Sequence, residues 1–405
     1  MIKTSDDKHK NIRLYMQFAL CVFLLLNTAS LINNADYSNF GWKSIDATFM
    51  LLTAIFCYYL LFNLRKALSY KKLLPLFVTF LATHYVSYSL YQDHNNFENI
   101  YKLTLYILAI LSLILIKWNK NSLTFLSLGL SIIVLIVFRH WVYQDFPTWT
   151  FRSYFKHQNG LAMFLFLATF FITLASIYSK KFLRIYFATI SLLGLILIYT
   201  TSSRAVFLAI FTFLISFCIY KISYKWFKLT FPFIALFNIL FTFVYLFISR
   251  THLKTPLNNL STYLFNKPFF REEGRIKLWN TMIEEVFIES PLFGQGFGVR
   301  PADFLDMGKV LSTHNVYLQI LVEVGIIGFF VFIVLLYYIW KSILKNIGSI
   351  AGQFSAFFLL ATLMLVNFEL TLFPNSPSYA TIGLFQWLGF TIGINFIEND
   401  SKPPS

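Results

Sequence analysis

Long apolar runs follow one another along the chain, separated by short polar stretches. A helix takes about 20 apolar residues to cross a hydrocarbon core of about 30 Å, and only helices or closed barrels satisfy their backbone hydrogen bonds there. The runs are too long and continuous for barrel strands. They therefore predict twelve transmembrane helices, at about 13–32, 45–64, 73–91, 100–117, 122–139, 160–178, 182–200, 204–220, 229–249, 318–340, 350–370 and 379–396.

The composition agrees with this all-α, polytopic membrane fold. Of 405 residues, 57% are hydrophobic and 13% are charged, and the mean hydropathy is +0.64, whereas a soluble domain carries about 25% charged residues. A soluble enzyme, a disordered chain and a disulfide scaffold are thereby excluded. The net charge of +15 comes from basic residues scattered between apolar runs, a pattern that favours a membrane over nucleic acid as the partner.

Lysine and arginine in the short loops predict the orientation, because positive residues are retained on the cytoplasmic side. With the N-terminus in the cytoplasm, nineteen of these residues lie inside and six lie outside, the long loop not counted. Both termini are therefore predicted to be cytoplasmic. The first run lacks a small-residue cleavage site and is interpreted as a retained helix. The hydrophilic segment 250–313, between the ninth and tenth predicted spans, becomes one large external loop in a single membrane domain, 1–405.

This loop contains an amphipathic helix by its pattern. Apolar residues recur at helical spacing before Pro291, and such a helix is expected to lie on the membrane with its apolar face down. These residues are Leu278, Trp279, Met282, Ile283 and Val286.

Three residues at the outer ends of helices indicate chemistry. Arg204 begins an otherwise apolar span, where an arginine is costly unless it is paired or reaches the surface. Arg275 stands at the start of the amphipathic helix, where a cation is unfavourable unless an anion binds nearby. His314 precedes the tenth span, which Ser312 or Thr313 is expected to cap. An imidazole is the side chain best suited to take up a proton near neutral pH.

Four segments around the long loop resemble, in order and spacing, the landmarks of the O-antigen ligase and O-antigen polymerase superfamily. The resemblance extends over about residues 150–345. The segments are Thr201-Ser202-Ser203-Arg204, Gly274-Arg275-Ile276-Lys277-Leu278-Trp279, Pro291-Leu292-Phe293-Gly294-Gln295-Gly296-Phe297-Gly298, and the run from Thr313-His314-Asn315 to Gly325-Ile326-Ile327-Gly328.

The resemblance implies a glycosyltransferase of the bacterial cytoplasmic (inner) membrane, active at its periplasmic face. It would move a glycan from an undecaprenyl-pyrophosphate carrier to an acceptor sugar hydroxyl. By motif position, Arg204 and Arg275 correspond to pyrophosphate ligands and His314 to the catalytic residue. Residues of a basic segment and of the long loop are further candidates for substrate binding: Arg152, Lys156, His157, Asn159, Arg271 and Arg300.

Two acceptors fit this reaction. A polymerase would join O-antigen or exopolysaccharide repeat units on another lipid-linked glycan, and a ligase would transfer the glycan to the lipid A-core of lipopolysaccharide. Polymerisation is favoured because the chain shows no docking module for lipopolysaccharide. The bilayer and other polysaccharide assembly proteins are the remaining expected partners. We expect no cofactor and no metal, because the chain has no Asp-x-Asp pair of the kind that holds a divalent ion in sugar-nucleotide transferases.

A lipid-linked glycan flippase or transporter is the alternative from another class, and a membrane scaffold is a third interpretation. Transporters place charged residues near the bilayer midplane, whereas charge here is concentrated beside the long loop. Glu323 lies nine residues beyond His314, about 13.5 Å along a helix, so we interpret it as a group that packs a helix or anchors a loop. Gly294, Gly296 and Gly298 are interpreted as a tight turn.

Overall fold

The computed structural model of the protein describes residues 2–62, 72–91, 97–265, 268–270, 272–304, 312–373 and 377–397. Within these ranges the chain is almost entirely helical, because apolar runs in lipid must satisfy their backbone hydrogen bonds internally. The helices are α1 Ile2–Asn27, α2 Ala35–Phe62, α3 Leu73–Leu90, α4 Phe97–Leu115, α5 Lys120–Tyr143, α6 Gln158–Tyr178, α7 Lys181–Thr201, α8 Arg204–Ile222, α9 Tyr224–Ser249, α10 Lys254–Phe265, α11 Lys277–Thr281, α12 Val316–Leu344, α13 Ile350–Leu365 and α14 Pro377–Asn395.

Every predicted span forms a helix, and ten helices of the described chain are long and apolar enough to cross a membrane. The protein is an all-α polytopic membrane protein, as predicted. The helix over Ile350–Leu365 is shorter than the predicted span 350–370, because the chain leaves the helix at Val366. The segment after it, residues 366–373, is buried and not helical, which gives its polar residues fixed positions beside α12.

The centre of the bundle is formed by α6, α13 and α14. From Leu161 to Ala175 nearly every residue of α6 is buried, as expected of a helix that is hydrophobic on all sides. Phe170 of α6 stacks on Phe358 of α13, with ring centroids 4.1 Å apart. Large apolar side chains on α7 to α9, such as Ile222 with 84% of its surface exposed, point away from the core and are suited to face lipid.

A short two-stranded parallel sheet lies at the end of the bundle where α5 begins. Its two strands, β1 Trp118–Asn119 and β2 Phe396–Ile397, pair Trp118 with Phe396. The sheet joins the start of α5 to the segment that follows α14, so two distant parts of the chain meet there.

The helix α12 is broken at Gly325, where φ is +64°. A tight turn around Gly294, where φ is +66°, packs backbone against backbone at this break. A Cβ atom on either glycine would overlap with the main chain of the other segment, so only glycine fits. The N–H of Gly298 also donates to the Glu323 carboxylate at 3.0 Å. The turn and the loop-anchoring role of Glu323 are thus as predicted.

The amphipathic helix is present, but the prediction about its apolar face is wrong. Residues 272–287 are helical, and Trp279 and Met282 are fully buried inside the protein. The Trp279 ring packs against Tyr245 of α9 at 4.9 Å between centroids. The apolar face is therefore covered by the helical bundle and not by lipid. Packing against fixed aromatic rings removes the face from water, as lipid would, and also provides close dispersion contacts.

Candidate functional site

Consecutive helices bring their ends to one face of the bundle, and most of the candidate residues lie there. Asn159 is at the start of α6, and Arg204 is the first residue of α8. Tyr245 is in the last turn and a half of α9. His314 precedes α12, and Glu369 follows α13. Residues far apart in the sequence thus meet at the face that carries the long segment between α9 and α12.

His314 is paired with a buried carboxylate. Its Nδ1 lies 3.5 Å from Oε2 of Glu369, whose side chain is 3% exposed, whereas the imidazole is 34% exposed. Asn159 Nδ2 donates to Oε1 of the same carboxylate at 2.8 Å, and the Tyr379 hydroxyl donates to Oε2 at 3.5 Å. Nδ1 makes no hydrogen bond with this carboxylate in the described structure, but a carboxylate this near favours the tautomer with its proton on Nδ1, which leaves Nε2 as the proton acceptor.

The backbone around His314 is held on both sides. His314 itself is in the left-handed region, with φ at +50°. Trp279 Nε1 donates to the Thr313 carbonyl at 2.7 Å. Asn315 caps α12 by accepting the N–H of Leu318 at 3.0 Å. The predicted caps, Ser312 and Thr313, are therefore wrong: the cap lies two to three residues later, at Asn315. The Thr313 hydroxyl instead donates to the Asn315 carbonyl and to Gln319 Oε1 of α12.

Arg275 reaches the same segment as His314. Its Nη2 donates to the Phe368 carbonyl at 3.1 Å, and its guanidinium lies 5.4 Å from the centroid of the Phe368 ring. Its Nε is buried and has no hydrogen-bond partner among the described residues. Because Phe368 directly precedes Glu369, the guanidinium and the imidazole approach adjacent residues of one short segment.

Arg204 contributes a second guanidinium. Its Nη1 donates to Ser261 Oγ at 2.9 Å and to the Pro268 carbonyl at 2.8 Å. Its guanidinium lies 5.8 Å from the centroid of the Phe269 ring, and this ring packs against Tyr245 at 5.5 Å between centroids. Tyr245 in turn contacts Phe241, which packs against the Phe368 ring beside Arg275. Two cations on different elements thus border one aromatic cluster.

Two hydroxyl groups next to Arg204 are left without partners. Ser202 Oγ and Ser203 Oγ are buried and form no hydrogen bond within the described chain. Ser202 has a φ of +54°, and Ser203 is the N-cap of α8 but makes no side-chain capping bond. A helix N-terminus with free donors attracts negative charge. The start of α8 thus offers hydroxyl and N–H donors together with a guanidinium.

The basic segment before α6 contains the weaker candidates. Arg152 and His157 are exposed. The Lys156 ammonium donates to Ser38 Oγ at 2.8 Å, and partial burial lowers the pKa of this group. Asn159, in the first turn of α6, is linked to His314 indirectly, because both contact the Glu369 carboxylate.

The two further candidates in the long loop are Arg300 and Arg271. Arg300 lies at a short turn, where its N–H donates to the Asp303 carboxylate at 2.8 Å. This turn contacts α12 through the Val299 carbonyl, which accepts from Gln319 Nε2 at 2.8 Å. Arg271 lies outside the described residues.

Sequence reasoning missed Glu369 as a site residue. A carboxylate within an apolar segment is costly and is usually functional, so its position after the apolar run of α13 was an available signal. The sequence pattern does not show which partner it meets, because His314 is 55 residues away. The same holds for Phe368, whose main-chain carbonyl has no sequence signature.

Residues 189–333 match the protein-family model described as O-Antigen ligase. No curated protein matches the chain. The matched residues include Arg204, Arg275 and His314, and they begin in α7 and end in α12. Over this segment, about a third of its 405 residues, the chain is similar to the O-antigen ligase family.

Proposed function

We propose that this protein transfers a glycan from an undecaprenyl-pyrophosphate carrier to an acceptor sugar hydroxyl at the outer face of the bacterial cytoplasmic membrane, and that it polymerises repeat units. The observation that carries the proposal is the convergence of Arg275 and His314 on Phe368 and Glu369, with Arg204 at the Phe269 ring of the aromatic cluster around Tyr245. This arrangement supports an assignment of the arginines to a diphosphate and of the imidazole to a hydroxyl.

The carrier pyrophosphate is assigned to the two arginines and the start of α8. Guanidinium groups bind phosphate oxygens in pairs, and a charge-assisted hydrogen bond contributes about 1.5–3 kcal/mol. The unpartnered hydroxyls of Ser202 and Ser203 supply further donors. Contacts that strengthen as charge develops on the leaving pyrophosphate speed the reaction.

The acceptor hydroxyl is activated by His314. Nε2 takes the hydroxyl proton as the oxygen attacks the anomeric carbon, and the bond from that carbon to the phosphate oxygen breaks. The carrier pyrophosphate leaves with the electron pair. Glu369 stabilises the imidazolium that forms, as an orienting carboxylate does beside other catalytic histidines. A positioned base contributes about 10²–10⁴-fold to the rate.

The decisive experiment is a deletion strain examined by gel electrophoresis of its surface polysaccharide. Loss of polymerisation leaves a single repeat unit on the lipopolysaccharide core, and the wild-type gene restores the ladder. A normal ladder in the deletion strain would contradict the proposal. The second candidate is ligation to lipid A-core, which the description of the matched family model favours. Its loss leaves an intact core without any added repeat unit.

We expect the reaction to be independent of divalent metal ions, because the two arginines and the unpartnered hydroxyls of Ser202 and Ser203 could neutralise the pyrophosphate instead of a metal. Purified protein treated with excess chelator should transfer glycan at the untreated rate. A loss of activity in chelator that magnesium or manganese restores would contradict this expectation.

A further inference from the structure

The segment between α5 and α6, residues 144–157, is called here the aromatic loop. Its backbone is tied to two neighbouring elements: the N–H of buried Phe151 donates to the Thr200 carbonyl at 3.2 Å, and the N–H of Asn33 donates to the Tyr154 carbonyl at 2.7 Å. Non-glycine residues with positive φ persist only where surrounding contacts hold them. The loop contains four of them: Asp145, Phe146, Thr150 and Ser153.

This fixed backbone presents aromatic rings to the outside. Trp149 is 41% exposed, and its ring centroid is 6.2 Å from that of Tyr199. Tyr154 is 50% exposed and stacks on His140, with centroids 4.1 Å apart and an angle of 14° between the planes. Because His140 covers one face of the Tyr154 ring, the opposite face is the one left open. Open ring faces beside polar groups suit a sugar, which has an apolar C–H face and polar edges.

The charge around these rings is positive. Arg139 and Arg152 are exposed, and Lys156 extends its ammonium group to Ser38. Between residues 139 and 157, Asp145 is the one acidic residue. The balance favours a saccharide that carries carboxylate or phosphate groups.

The aromatic loop leads directly into the candidate site. It ends at His157, the N-cap of α6, and Asn159 of α6 donates to the Glu369 carboxylate beside His314. On its other side it contacts Thr200, four residues before Arg204. The loop is therefore connected both to the imidazole, through Asn159 and Glu369, and to the helix end that precedes Arg204.

We propose, resting on the proposed function above, that the aromatic loop binds the acceptor glycan as an acidic saccharide, through the open faces of Trp149 and Tyr154 and the guanidinium of Arg152. Aromatic residues of membrane proteins also anchor in lipid headgroups. Such anchoring does not require a tethered backbone or a connection to Glu369, so the geometry favours the saccharide.

The test uses the repeat-unit oligosaccharide released from its lipid carrier by mild acid, and full-length protein in nanodiscs. Calorimetry should show that Trp149→Ala and Arg152→Ala each weaken binding of this oligosaccharide about tenfold. Trp149→Phe should retain most of the affinity. The same oligosaccharide with its carboxylates reduced to alcohols, or its phosphates removed, should bind wild-type protein as weakly as Arg152→Ala binds the native one.

The matched controls are Trp226→Ala and Arg184→Ala, exposed residues at the opposite ends of α9 and α7. Both should bind the oligosaccharide like wild-type protein. The proposal would be overturned if Trp149→Ala and Arg152→Ala bound the oligosaccharide as tightly as the controls. It would also be overturned if the natural oligosaccharide carried no carboxylate or phosphate group. Equal affinity with lower stability of Trp149→Ala in nanodiscs would indicate a lipid anchor instead. Binding and transfer are measured separately. His314→Asn should bind the oligosaccharide but not transfer glycan. If wild-type protein bound the oligosaccharide but transferred no glycan, the proposed function would be contradicted and the binding proposal would stand.

Discussion

Replacing His314 with alanine should reduce glycan transfer about 10²–10⁴-fold, because a positioned base contributes that much to the rate. Nε2 of His314 is the proposed proton acceptor, and Oε2 of Glu369 lies 3.5 Å from the opposite nitrogen. The measurement is the initial rate of transfer by purified protein in nanodiscs with lipid-linked donor. Donor affinity should remain within about twofold of wild type, because the arginines and not the imidazole are assigned to the pyrophosphate.

The left-handed backbone at His314 makes alanine an incomplete control. Asparagine tolerates a φ of +50° better than most residues, so His314→Asn should fold like wild-type protein and be as inactive as His314→Ala. Glu369→Gln keeps the shape of the carboxylate but loses its charge, and we expect an intermediate loss of about tenfold. Near-normal product chains from His314→Asn would exclude His314 as the base, whatever the stability of the protein.

Replacing Arg204 or Arg275 with lysine should lower kcat/KM for the lipid-linked donor by about 10- to 150-fold, equivalent to the 1.5–3 kcal/mol of a charge-assisted contact. Lysine keeps the charge but lacks the fork that holds two phosphate oxygens. Arg204 also bonds to Ser261 and Pro268, so its replacement changes the packing of the loop as well. The rate at saturating donor and the KM should be measured separately for each variant.

The matched control for the lysine variants is Arg184→Lys, an exposed arginine at the far end of α7. It should be indistinguishable from wild type. If Arg275→Lys were as active as Arg184→Lys, the contact of Arg275 with the Phe368 carbonyl would be structural and the pyrophosphate would lie elsewhere. If Arg204→Lys and Arg275→Lys reduced thermal stability without changing kcat/KM of the folded fraction, the role of Arg204 would be structural as well.

The order of apolar runs was sufficient to predict the helices, because a backbone in lipid has few alternatives to a helix. Helix ends were predicted less well. Leu365 ends α13 earlier than its apolar run suggests, and Ala35 begins α2 earlier. The first turns of α2 contain polar residues, and residues 366–373 are apolar or buried without being helical, so hydropathy does not mark either end. The apolar face of the helix around Trp279 was recognisable, but its partner was not.

The motifs identified Arg204, Arg275 and His314 as candidates from residue type and position alone, since a cation or an imidazole at the end of an apolar helix is costly without a role. The contacts of Glu369 and Asn159 with the site were identified only from the tertiary structure. So were the Phe368 carbonyl and the unpartnered hydroxyls of Ser202 and Ser203.

Hydrophobicity and side-chain type are local properties, so the order of the apolar helices and the residues capable of the chemistry could be predicted from the sequence alone. The tertiary structure decided which of those residues meet. His314 and Glu369 are 55 positions apart, and their pairing depends on α12 and α13 packing so that the loop before one lies beside the segment after the other. Contacts of that kind arise from the packing of whole helices, which the spacing along a single chain does not record.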